Sequence, residues 1–257
     1  MDNKIPYLRH PIILGAMAGI SFNEFSLKAS TNAGAVSIGG FSFDEKTFRA
    51  SNQLALLNRS EFLIHPIELL KILPSYLNKI NNSLLVLINI RIVETTYLTE
   101  LFNIIKKFPN LVIEINAHCR QCAMIDIGAG EALLNNIDKF EYIINTIKQK
   151  TNFFSVKTRL TSINQINDIP LIEKIPILHV DCYKPGSNDI QYGWLKKMRQ
   201  NYSGCLIANN SLDDPEKIET VLNLGIDAIS IARSAKDDPF LPGKLWENIK
   251  RRNVINL

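Results

Sequence analysis

The amino-acid sequence predicts an α/β protein, a single closed (β/α)8 barrel over residues 1–257. Three observations lead there. Strand-like and helix-like stretches alternate along the whole chain, eight of each. The strand-like runs, such as 84–90 (LLVLINI) and 111–115 (LVIEI), are rich in Ile, Val and Leu rather than alternating, as parallel strands buried on both faces are. Finally, 257 residues is the usual length of eight such units. A doubly wound open sheet is the competing arrangement, but no G-x-G-x-x-G follows the first strand.

Taken in order, residues 12–17 read as the first strand, followed by Gly19 and a helix over 23–32. The second strand is 35–39, closed by Gly39-Gly40. Residues 44–65 are the least regular and read as a long loop with some helix. Pro66 suits the first turn of a helix reaching about residue 79. The third strand, 84–90, leads into a helix over 94–107 whose Leu98, Leu101, Phe102 and Ile105 share one face. Strand 111–115 and helix 131–148 form the fourth unit, and 153–158 opens the fifth, with a short helix over 166–174. Strand 177–181 precedes helix 190–200. Strand 205–208 precedes helix 215–223, with Pro215 in its first turn, and strand 227–231 precedes the closing helix 242–251. No low-complexity linker or composition shift marks a domain boundary.

Apolar residues make up 46% and charged residues 21%, ordinary values for a globular protein. The net charge of +4 leans toward anionic ligands, although part of the excess is the tail Lys250-Arg251-Arg252. Four cysteines do not make a secreted disulfide framework, and the N-terminus MDNKIPYLRH lacks a signal pattern. No apolar run approaches a membrane span. The expected setting is the cytoplasm, with reduced thiols and no membrane partner.

The chemistry gathers at predicted strand ends, where barrels keep their sites. The densest stretch follows strand four: Asn116, His118, Cys119 and Cys122, then Gly128-Ala129-Gly130. Elsewhere the exits carry Met17 and Ala18, Asn89 and Arg91, Lys157 and Arg159, then His179, Asp181 and Cys182. The last two strands supply Asn209 and Asn210, then Arg233 and Ser234. Each has a plainer reading. The cysteines fit as small half-buried hydrophobes, Lys157 as a surface lysine and His179 as a hydrogen-bonded core histidine. Asn209-Asn210 fits a turn, and Arg233 a pair with Asp237 or Asp238. A lysine following a strand run has to be buried or neutralised, which favours an electron-rich ligand. Strands seven and eight are the usual phosphate-gripping pair of such barrels.

In this order the residues resemble the tRNA-dihydrouridine synthases and their archaeal barrel relatives, within the FMN-binding TIM barrels that include dihydroorotate dehydrogenases. Gly15-Ala16-Met17-Ala18-Gly19 resembles the family's APMAG, and Asn89 falls at the Gln of its VQ strand end. Ile115-Asn116-Ala117-His118-Cys119 resembles IN-x-GC, and Ala129-Gly130-Glu131-Ala132-Leu133-Leu134 resembles AG-x-ALL. Val156-Lys157-Thr158-Arg159 matches VK-x-R. His179 lies at the His of HGR, Ala208-Asn209-Asn210 at GNG, and Ile231-Ala232-Arg233-Ser234-Ala235 at IGRGA. The resemblance implies FMN as cofactor, with Asn89, Lys157 and His179 lining the flavin and Met17 and Ala18 under its ring. Asn209, Asn210, Arg233 and Ser234 would face its phosphate. Asn116 would orient a uracil-like substrate, and Cys119, beside His118, would be the general acid.

The sequence also departs from that pattern. Arg120 and Cys122 replace a Pro and a Lys, Asp181 replaces the Arg of HGR, and Asn210, Ala232 and Ser234 replace glycines. The helical tRNA-gripping domain of the synthases is not expected after residue 257, so a small-molecule or uracil-containing substrate is expected ahead of tRNA. Two alternatives follow. One is a divergent, non-catalytic barrel that binds a phosphorylated ligand. The other is a thiol-redox or metal protein, in which Cys119, Cys122 and Cys182 ligate a metal or Cys119 and Cys122 form a disulfide.

Overall fold

The computed structural model describes residues 5–159, 172–183 and 189–255, the side chains of 253–255 excepted. Eight parallel strands close on themselves in sequence order: β1 Ile12–Leu14, β2 Ala35–Ser42, β3 Leu85–Arg91, β4 Leu111–Asn116, β5 Ser155–Arg159, β6 Ile177–Asp181, β7 Cys205–Asn209 and β8 Ala228–Ile231. Closure is made by β1 against β8, with Ile12 opposite Ile229 and Leu14 opposite Ile231. This is the (β/α)8 barrel the sequence predicts. No helix among the described residues is long and apolar enough to cross a membrane.

Helices interleave the strands: α1 Glu24–Ser30, α2 Glu45–Leu56, α3 Pro66–Leu77, α4 Leu98–Ile105, α5 Cys122–Ile125, α6 Ile137–Lys148, α7 Tyr192–Asn201, α8 Pro215–Asn223 and α9 Leu241–Ile255. Their apolar faces meet the outward strand side chains, and that shell holds Phe41, Phe43, Phe140 and Phe154, each almost fully buried. Inside the barrel, Ile13, Leu85, Leu87, Val112, Ile177 and Ile207 form a separate apolar plug. Above the plug the inward positions turn polar: Ser37, Asn89, Glu114, Ser155, Lys157 and His179 are all buried. The plug closes one end of the barrel, and the polar layer forms the floor of the other.

Several segments differ from the sequence reading. Strand β2 runs on past Gly39-Gly40 to Ser42, its register to β3 shifting between Gly39 and Phe41; an added Cβ at Gly40 would come within 2.7 Å of Asn89 Oδ1. Much of 44–65 is the regular helix α2. The Asp44 carboxylate accepts from Thr47 N–H at its start (2.8 Å). The expected helix 131–148 is split into a 3-10 turn, Gly130–Asn135, and α6, which the Asn136 side chain caps by accepting from Lys139 N–H. The first part of the expected helix 166–174 lies outside the described residues; its end is a 3-10 turn, Ile172–Lys174.

Candidate active site

A cavity of about 700 Å³ opens at the C-terminal ends of the strands. Met17, Ala18, Asn89, Asn116, His118, Cys119 and Lys157 line it, as do Asn209, Asn210, Arg233 and Ser234. Of the residues singled out from sequence, His179 lies beneath this surface, fully buried.

The floor is organised by a residue that sequence reasoning passed over. Glu114, in β4, is fully buried and accepts four side-chain hydrogen bonds. Its Oε1 receives Ser37 Oγ (3.1 Å) and Asn89 Nδ2 (2.8 Å), and its Oε2 receives Ser155 Oγ (3.2 Å) and His179 Nδ1 (2.7 Å). Burial alone would raise its pKa, but His179, Lys157 and the Asn89 amide outweigh burial and hold the carboxyl at about 2. Burial, reinforced by the nearby Lys157, lowers the pKa of His179. The ring therefore donates from Nδ1 to the carboxylate, and its buried Nε2 has no hydrogen-bond partner among the described residues. A signal was present in the sequence: one acid inside the run LVIEIN has to find partners.

From Glu114 a chain of amides runs to the loop. Asn89 Oδ1 accepts from Asn116 Nδ2 (2.8 Å), and Asn116 Oδ1 accepts from the backbone N–H groups of His118 and Cys119 (both 3.1 Å). Asn116 thus shapes the β4 exit loop and fixes where His118 and Cys119 stand. Lys157, at the end of this floor, is 5% exposed, and none of the described residues accepts a hydrogen bond from its Nζ. Burial lowers its pKa, against the opposing pull of Glu114 and Asp181.

At the rim Asp181 is the hub. Its Oδ2 receives His118 Nε2 (3.1 Å) and Arg159 Nη1 (2.8 Å), and its Oδ1 receives Asn210 Nδ2 (3.1 Å) and Tyr183 N–H (3.2 Å). Those donors overcome burial and bring the carboxyl down to about 2. Burial takes His118 to about 4 despite Asp181, so the ring is neutral at pH 7. Arg159, one strand away, pairs with this carboxylate.

Cys119 packs with Ala50, Leu54, Val93, Met124 and Ala129, and burial pushes its thiol up to about 11. It stays protonated, a proton donor and not a thiolate. The three-thiol metal alternative is not met. No group of three or more His, Cys, Asp or Glu able to hold a metal occurs among the described residues. Cys122 is exposed at the start of α5 while Cys119 is buried, and Cys182 donates to the Asn209 carbonyl (3.0 Å). Cys119 and Cys122 are free thiols and not a disulfide.

On the β7–β8 side, Asn210 and Ser211 take positive φ (83° and 57°), the turn expected of an asparagine there. Ala232 has φ −133°, a conformation that needs no glycine. Arg233 and Ser234 are exposed in the cavity wall, and Asp238 pairs with Lys244 rather than with Arg233. Cations dominate the lining: Arg59, Arg91, Lys157, Arg159, Arg233 and Lys236 stand against Asp181 and Asp213. Sequence reasoning missed Arg59 and Lys236, since nothing local places a loop residue over a distant strand.

Fold and site together define a (β/α)8 barrel with a polar, cation-rich ligand cavity at its strand ends. Within that class, the chain belongs to the family of MJ0144, an uncharacterized protein of Methanocaldococcus jannaschii. The two are 30% identical over 272 residues, covering the whole of both chains. No family model matches the sequence. Among solved structures, a FabK variant from Thermotoga maritima superposes with a TM-score of 0.52 at 13% identity, over 88% of this chain and 62% of that one. Thiamine phosphate pyrophosphorylase from Pyrococcus furiosus gives a TM-score of 0.51 at 9% identity, over 95% and 98% of the two chains. At such identities the likeness is one of fold.

Proposed function

We propose that this protein is an FMN-dependent oxidoreductase of the dihydrouridine-synthase type, acting on a conjugated, uracil-like ring. The observation that carries the reading is Lys157: a buried lysine at the cavity floor whose Nζ meets no acceptor among the described residues. An ammonium held at the cavity floor favours a ligand with an electron-rich edge, which is expected to complete it. An oxidised or reduced isoalloxazine offers such an edge, and the cations Arg233 and Lys236 suit its phosphate. When bound, the flavin supplies hydride chemistry. The chain's own part is to hold that ring from below through Lys157, to shape the loop through Asn116, and to keep the Cys119 thiol protonated beside the cavity for transfer to a substrate carbon.

Purified protein mixed with FMN is expected to turn yellow, with the absorbance maxima of oxidised flavin, and to retain the colour on desalting. A colourless protein that takes up no FMN sinks the proposal. The RNA version of the substrate is tested separately. Binding of tRNA through rim cations must weaken steeply with salt, and a deletion strain with unchanged dihydrouridine in its tRNA argues for a small-molecule substrate.

A second reading is a barrel that binds a phosphorylated ligand without catalysis, and the apolar packing of Cys119 favours it. If the flavin-loaded protein, chemically reduced, is reoxidised by no unsaturated ring compound at above the rate of free flavin, this second reading replaces the first.

A further inference from the structure

We propose that Arg91 and Arg59 form a second anion subsite in the cavity, which takes the carboxylate of a small conjugated acid. The proposal deepens the flavin reading by naming a substrate class, and it rests on that reading for the role of substrate, though not for binding.

The argument begins with position. Arg91 ends β3, and in the closed order of eight strands β3 lies four strands from β7. The subsite is therefore across the mouth from the wall assigned to the flavin phosphate. Charge comes next. Arg91 is 2% exposed and donates from Nη2 to the Gly40 carbonyl (2.8 Å) and to Glu61 Oε2. Glu61 also receives Arg59 Nε (3.0 Å) on its other oxygen. Two guanidinium groups thus share one buried carboxylate, which leaves a net positive charge in this wall among the described residues. The loop that carries Arg59 and Glu61 is seated against Gly19, whose φ is +73° and where an added Cβ would overlap Ser60 Oγ.

Hydrogen bonding gives a third, independent sign. Among the described residues, Arg91 Nε is buried without an acceptor, and Gln121 Oε1, in the same cavity lining, is buried without a donor. A neutral ring leaves the excess charge unanswered. A planar oxyanion matches the Nη fork of Arg59, whose bond to Glu61 is made through Nε, with Arg91 adding charge beside it, and a substrate N–H or O–H there would satisfy Gln121. Size follows from depth. A polyanion lying across the rim meets the exposed Arg59, whereas Arg91 is reached only by a group that enters the mouth. Cys119 lines the same cavity as these arginines, so an acid held by them has its conjugated carbons near the thiol.

The experiment uses the purified full chain in buffer free of phosphate and carboxylates. Benzoate, its neutral isostere benzamide, and inorganic phosphate are each titrated by calorimetry, with and without FMN, and FMN binding is followed separately by flavin fluorescence. Benzoate is expected to bind and benzamide not. Arg59→Gln is expected to weaken benzoate about tenfold, the loss of one charge-assisted contact, while FMN affinity stays unchanged. Arg91→Lys, which keeps the charge but cannot hold both Gly40 and Glu61 in the guanidinium geometry, is expected to weaken it at least as much; if that variant does not fold, Arg59→Gln decides. Equal binding of benzoate and benzamide, or full benzoate affinity in Arg59→Gln, overturns the proposal. Phosphate binding more tightly than benzoate and lost in Arg59→Gln overturns the choice of a carboxylate. Benzoate binding in a protein that takes up no FMN refutes the flavin reading alone, and FMN binding without benzoate refutes the subsite alone.

Discussion

At the scale of single residues, Lys157 sets stability against binding. Its pKa is lowered by burial, so folding works against a group that wants to be charged. Lys157→Met is expected to stabilise the apo protein by about 1 kcal/mol or more, seen as a higher urea midpoint, while FMN affinity falls in a fluorescence titration. A variant with unchanged flavin affinity sinks the role given to this residue. His118 supplies the pH dependence. Its folded pKa of about 4 lies below the ordinary 6.5. Between pH 6.5 and 4 the unfolded chain therefore binds a proton that the folded chain refuses, and stability drops as pH falls. His118→Gln should flatten the decline of thermal midpoint across that window. Further down, Glu114 and Asp181, both held at about 2, contribute stability that is present above about pH 4.5 and lost as pH falls toward 2.

At the scale of elements, the loops above β2 and β4 are fixed by particular groups and not by propensity. Asp44 is buried and accepts from the N–H groups of Thr47, Val93 and Glu94 (2.8, 2.6 and 3.1 Å), so one carboxylate caps α2 and ties down the loop after β3. Asp44→Ala should cost about 2 kcal/mol or more in denaturant unfolding, because three donors lose their acceptor at once. Gly130 has φ +61°, and an added Cβ there would meet both the carbonyl and the thiol of Cys119. Gly130→Ala is expected to cost about 2 kcal/mol and to make Cys119 react faster with a thiol reagent, since the loop must lift. An unchanged reaction rate would show that Gly130 does not hold Cys119 in place.

At the scale of the whole molecule, closure of β1 against β8 is what removes free strand edges. Ending the chain after Gly225 deletes β8 and leaves the bonding edges of β1 and β7 open. The product is expected to elute as aggregate in size-exclusion chromatography. A monomer that unfolds cooperatively would show that the remaining seven strands stand without closure.

The order of strands and the identity of their last residues were legible in the sequence, because parallel strands buried on both faces advertise themselves as apolar runs and their exits as abrupt polarity. That is why the sequence places Asn89, Asn116, Lys157 and Asn209 at the mouth they share in the structure. What each side chain does there was decided only by the tertiary structure. Glu114 reads as one acid in a strand until residues from β2, β3, β5 and β6 converge on it. Cys119 and Cys122 read as a pair until one is packed into a small apolar cluster and the other is turned to solvent. Arg59 reads as loop until Glu61 links it to Arg91. The physical reason is common to all three. Burial and hydrogen-bond partnership are properties of neighbours distant in the chain, whereas periodicity and composition report only on neighbours along it.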